Sequence, residues 1–167
     1  MPTAKRPWRA ISILPLLGLA HATSAHASSW TYEAGNGVCA LHAVTGTQTD
    51  IRLMVSADEP EGMVILVTNP AWRLDKPKDF QVALTFHKVS PEAGIQKIRA
   101  TLPAHVGTDG RRVIISIRTY FAEFAELSYD ALRMSIDDAS GNLLPEIPFA
   151  YFGEVNQLRQ CANPRRF

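Results

Sequence analysis

The chain has 167 residues, 46% of them hydrophobic and 20% charged, with 17 Lys and Arg against 16 Asp and Glu. That length suits one domain with a substantial core. The near-neutral balance gives no electrostatic ground for binding nucleic acid.

The first 27 residues carry the pattern of an export signal. Met1 to Arg9 is basic and free of acids, Ala10 to Ala20 is apolar, and Ala25-His26-Ala27 supplies a small-x-small cleavage pattern. The apolar core falls short of the roughly 20 residues needed to span a bilayer, and Pro15 interrupts it. The expectation is a cleaved signal peptide over 1–27 and a single β-rich domain over 28–167. It implies a periplasmic or secreted location, with no membrane span after processing. Loss of Lys5, Arg6 and Arg9 leaves 14 basic against 16 acidic residues, a net charge of −2 with His neutral. Arg111-Arg112 and Arg165-Arg166 read as solvated turn or tail charges.

The rest of the chain reads as strands first. Val38 to Val44 and Ile51 to Val55 alternate, and Met63 to Thr68 is a nearly continuous apolar run. The polar turn Asp58-Glu59-Pro60-Glu61-Gly62 pairs the last two as a hairpin. Asn69-Pro70 ends that run, and Trp72 leads into a polar loop. Phe80 to Val89 places Phe80, Val82, Leu84 and Phe86 on one face, with Gln81, Ala83, Thr85 and His87 on the other. Ile95 to Val106 is a further strand, with Pro103 restricting its far end to an edge. Gly107 to Gly110 is a turn, and Val113 to Ile117 resumes an extended run.

The period then changes. Tyr120, Phe121, Phe124 and Leu127 predict a short helix through Glu123–Glu126. Leu132 to Ile136 is a strand and Asp137 to Asn142 a turn. Pro145 and Pro148 bracket the approach to a last helix over Phe149 to Gln160, whose stripe Phe149, Phe152, Val155 and Leu158 faces the sheet. The fold class is α+β and β-rich. It is an antiparallel sheet or sandwich of about seven strands, with a short mid-chain helix and a C-terminal helix packed on the sheet.

Cys39 and Cys161 are the only cysteines. In an oxidising compartment an even pair reads as one disulfide, and Cys161 falls next on the apolar stripe of the last helix. Closing a loop of about 120 residues contributes on the order of 4–5 kcal/mol in the chain-entropy model. There is no Cys-x-x-Cys pair for thiol redox chemistry.

Catalytic signals are sparse. His42, His87 and His105 form no local metal-binding pair, so no metal and no cofactor is expected; His87, on the polar face of its strand, reads as solvated. Asp58, Glu59 and Glu61 read as an acidic turn without calcium-loop spacing. Glu123 and Glu126 are the one acid–base candidate, since paired carboxylates can hydrolyse glycosidic bonds when placed across a cleft. No Gly-x-Ser-x-Gly elbow and no phosphate-cradling glycine motif occur. Trp30, Tyr32 and Trp72, at element starts or loops, are the candidate binding surface, or caps on the ends of the core.

Four features occur in order: Trp30, Gly37-Val38-Cys39, Asn69-Pro70-Ala71-Trp72, and a helix ending Leu158-x-x-Cys161. In this order the chain resembles small exported bacterial proteins of the invasion-associated locus B family. That resemblance implies a periplasmic or surface location linked to host-cell entry, and carries no catalytic residues. The expected function is a non-catalytic binding protein for another protein or an envelope component, with an inhibitor or immunity role among those that fit. A small envelope hydrolase acting on glycan or peptidoglycan, and a structural envelope component, are the alternatives.

Overall fold

The computed structural model describes residues 30–73, 78–90, 92–109, 111–139, 141–149 and 155–162. The proposed signal peptide lies outside them. The elements in chain order are β1 (Thr31–Gly35), β2 (Val38–Val44), β3 (Asp50–Ser56), β4 (Gly62–Thr68), β5 (Lys78–Ser90), β6 (Gly94–Thr108) and β7 (Val113–Tyr120). Then come α1 (Phe121–Ser128), β8 (Ala131–Asp138), β9 (Gly141–Pro148) and α2 (Asn156–Ala162). All nine strands join one open antiparallel sheet in the order β1-β2-β3-β4-β7-β6-β5-β8-β9.

The architecture is therefore β-rich, as expected, but nine strands replace about seven, and the last helix is shorter and starts later than predicted. Both added strands lie at the sheet edges. All five residues of β1 are exposed, so it carries no alternating apolar signature. Its marker is the turn: Asn36 and Gly37 both have positive φ, at 51° and 73°, and Gly35 faces Val38 across a two-residue loop. Asn-Gly is the preferred pair for such a hairpin. β9 occupies the stretch read as the end of a turn and the approach to a helix. Its two prolines fit because an edge strand tolerates a missing N–H donor. Phe149, expected to start the last helix, instead donates its backbone N–H to Leu132 O at 2.8 Å. α2 begins at Asn156, and residues 150–154, Phe152 included, lie outside the described residues.

The expected β3–β4 hairpin forms, with Ile51 opposite Val67 and Leu53 opposite Ile65. β6 runs through Pro103, but its ladder with β7 covers only Ala104 to Thr108. The edge is the near part of the strand and not the far end: from Gly94 to Pro103 β6 pairs with β5 alone, in a long hairpin that reaches from Lys78↔Val106 to Ser90↔Gly94.

One core serves the whole sheet. Leu41, Ile51, Ile65, Ile117, Val106, Leu84, Ile136 and Leu144, drawn from β2 through β9, belong to a single buried cluster. Inward rows from both halves meet because the sheet curls. Its edges are tied at one end, where Trp30, just before β1, donates its indole N–H to Pro148 O of β9 at 2.9 Å. Phe86, Phe124 and Phe149 stack mutually at centroid distances of 5.4–6.0 Å, and Trp30 meets Phe149 edge-on at 5.8 Å. α1 supplies Phe124 to this group. The first N–H of α1, on Phe121, is satisfied by Glu61 O of the β3–β4 turn at 2.8 Å. α2 packs over β2 and β3 with Leu158 and the preceding Val155 buried.

Candidate functional site

The aromatic residues singled out by sequence have different surroundings. Trp30 is part of the edge tie, and Trp72 packs against the core cluster. Tyr32 stays exposed on β1. Among the described residues no ring contact joins the three. The Asn69-Pro70-Ala71-Trp72 motif is a turn lock. The Asn69 side chain accepts from Ala71 N at 2.8 Å and donates to Thr49 Oγ1 at 2.9 Å, while Trp72 N donates to Asn69 O. The motif thus fastens the end of β4 to the β2–β3 loop.

Glu123 and Glu126 line a groove between α1 and β6, together with Lys88, Ile98, Leu102 and Leu127. Both acids stand on the same helical wall, three residues apart, so they do not face each other across a cleft. Cys39 lies buried on the inner face of β2 and is not a free thiol. α2, which includes Cys161, packs over that strand; the Cys161 side chain lies outside the described residues.

His42, His87 and His105 each lie beside a carboxylate. His105 Nδ1 is 2.7 Å from Asp79 Oδ1 in an exposed pair. His42 Nε2 is 3.1 Å from Asp50 Oδ1, and Arg52 sits 3.7–3.8 Å from Asp50 and Glu33. His87 is the correction to the sequence reading. Its side chain is only 13% exposed and its Nδ1 is 3.3 Å from Glu146 Oε2. Among the described residues no group of three His, Cys, Asp or Glu side chains is arranged to hold a metal ion.

His87 belongs to a hollow on the outer face of β6, β5, β8 and β9, with a volume of about 330 Å³. Ladder register explains it. In one row Arg99, Thr85 and Ser135 stand side by side on β6, β5 and β8. The next row along the strands is Lys97, His87 and Arg133, and the row on the other side is Thr101, Ala83 and Asp137. Small residues occupy the middle and long ones the flanks, so the outer face is concave there. Ala83, Thr85 and Ser135 are 5%, 8% and 9% exposed, buried although they face away from the core.

The polar groups of this hollow are unevenly satisfied. Glu146 is held by Arg133 at 2.9 Å and by His87. No hydrogen bond from the Thr85 or Ser135 hydroxyl, and no ion pair from Lys97, Arg99 or Asp137, is made to a described residue. A floor of solvent-accessible hydroxyls, flanked by two exposed cations without ion pairs to described residues, makes this a polar concavity open to a ligand. Sequence reasoning had placed Thr85 and His87 on one strand face. It missed Lys97, Arg99, Ser135, Asp137 and Glu146, whose only signal is their outer-face phase in period-two strands.

Comparison with protein-family models, curated proteins and solved structures finds no match to this chain. No helix among the described residues is long and apolar enough to cross a membrane.

Proposed function

We propose that this chain is an exported, non-catalytic binding protein that takes a protein or envelope component at the outer-face hollow of β5, β6, β8 and β9. One observation carries the reading. Thr85 and Ser135 are buried side by side, with hydroxyls that no described residue satisfies, beside the uncompensated Lys97 and Arg99. Support for a periplasmic or secreted location comes from the leader pattern of residues 1–27. The buried Cys39, with α2 packed over its strand, supports a Cys39–Cys161 bridge in that compartment. The common wall of Glu123 and Glu126 weighs against a glycan hydrolase, which needs its carboxyls on either side of the bond.

The test is capture of partners from a periplasmic extract by C-terminally tagged protein after mild cross-linking, comparing wild type with Arg99→Glu. One stoichiometric partner retained by the wild type and lost by Arg99→Glu is the expected result. Glycan or peptidoglycan turnover that vanishes in Glu123→Gln and Glu126→Gln overturns it in favour of the hydrolase.

A further inference from the structure

The charges of the hollow are sorted by strand. Both cations, Lys97 and Arg99, stand on β6. The hydroxyls and His87 occupy the centre on β5 and β8, and the carboxylates Asp137 and Glu146 stand on the far flank, on β8 and β9. Glu146 is already neutralised by Arg133 and His87. That leaves Asp137 as the lining carboxylate without an ion pair to a described residue, opposite two cations in the same condition. Asp137 makes no ion pair with either cation, its strand β8 lying two strand spacings from β6, roughly 10 Å.

From this sorting we infer that the hollow binds a short zwitterionic peptide or amino-acid ligand. Its carboxylate lies against Arg99 and Lys97 and its ammonium group against Asp137. The Thr85 and Ser135 hydroxyls hydrogen-bond the polar backbone between. The inference rests on the proposed use of this hollow as the ligand seat and names the ligand's chemistry. An extended dipeptide holds its two terminal charges roughly 7 Å apart, and the reach of the Lys and Arg side chains closes the remaining gap. A volume of about 330 Å³ sits at the small end of the roughly 300–1,000 Å³ typical of ligand pockets. A guanidinium beside an ammonium suits a carboxylate through charge-assisted hydrogen bonds. An ion pair on an open sheet face is screened by solvent, so the affinity is modest and falls with salt.

The test is an NMR titration of the purified protein with three probes: alanyl-alanine, its N-acetyl form and its C-terminal amide. Alanyl-alanine is expected to give saturable amide shifts centred on Thr85, Arg99 and Ser135. Each capped form should bind at least about tenfold more weakly, one decade being 1.4 kcal/mol. Asp137→Asn should weaken the zwitterion but leave the N-acetyl form unchanged, and Arg99→Gln should weaken both. Equal binding of zwitterion and N-acetyl form overturns the inference, as does the absence of saturable shifts. The capping comparison uses the unaltered protein and does not depend on any variant folding. If alanyl-alanine is silent while Arg99→Glu still abolishes partner capture, the peptide inference falls and the binding reading stands. If Arg99→Glu also leaves capture intact, both fall.

Discussion

Asp109 shows how far local hydrogen bonding can act on a group in full contact with water. Its carboxylate accepts from the backbone N–H groups of Arg111 at 2.9 Å and Arg112 at 2.8 Å. These bonds, first that of Arg111 and then that of Arg112, hold its carboxyl below the ordinary aspartate value, helped by the Arg112 charge. A carboxyl depressed in the folded state contributes stability that is fully present above its unfolded value. That contribution is lost as pH falls through the folded value. In an NMR titration Asp109 should therefore show a lower midpoint in the folded than in the urea-unfolded protein. Asp109→Asn should flatten the corresponding part of the acid-side stability curve, and equal midpoints would contradict the turn geometry. The Gly107 to Gly110 stretch was readable as a turn from composition, yet Thr108 still belongs to β6 and the closing bond runs from Asp109 N to Arg112 O. His87 was harder to read. Alternation assigns it to the outer face, but whether that face is wet depends on β8 and β9, more than 40 residues later in the chain.

Among the elements, the edge strands depend most on a single contact. β1 buries nothing and is held by its ladder to β2 and by Trp30, whose indole bridges to Pro148 and rests on Phe149. Trp30→Phe keeps the ring contact and removes the hydrogen bond, an expected cost of about 1 kcal/mol. Trp30→Ala removes both, for about 2–3 kcal/mol in total. Urea unfolding measures the two costs, and faster hydrogen exchange of β1 and β9 amides would locate the loss. An unchanged midpoint in Trp30→Ala would show that the edges hold without the tie. The mid-chain helix was legible because Phe121 and Phe124 fall three apart and both face the core. The C-terminal helix was legible in kind but not in extent. The apolar spacing that starts at Phe149 continues a helical phase, while the residue itself follows β9 as extended chain.

At the scale of the whole molecule, a curled nine-stranded sheet closes over one core, and α2 lies against β2 and β3, which come early in the chain. A Cys39–Cys161 bridge would fasten that long-range contact. Non-reducing mass spectrometry of the oxidised protein should yield one cross-linked peptide containing both cysteines, and alkylatable thiols would refute the bridge. Reduction should lower stability by an amount on the order of 4–5 kcal/mol, the chain-entropy value for so long a loop, read from unfolding with and without reductant.

Strand phase and turn chemistry are local, so the sequence by itself determined the inner rows of β3 and β5, the β3–β4 hairpin and the position of α1, but not the phase of β8, where Leu132 turns out exposed. Period-two alternation names an inward side without reference to any partner. It also carried Asn36-Gly37, a hairpin signal sufficient to announce β1. Only the tertiary structure decided which strands become neighbours. The outer-face hollow arises from that pairing order: β6, β5, β8 and β9 lie side by side although β7 and α1 intervene in the chain. Arg99, Thr85 and Ser135 come from three segments spanning some fifty residues, and their adjacency is set by ladder register, which no short window of sequence encodes.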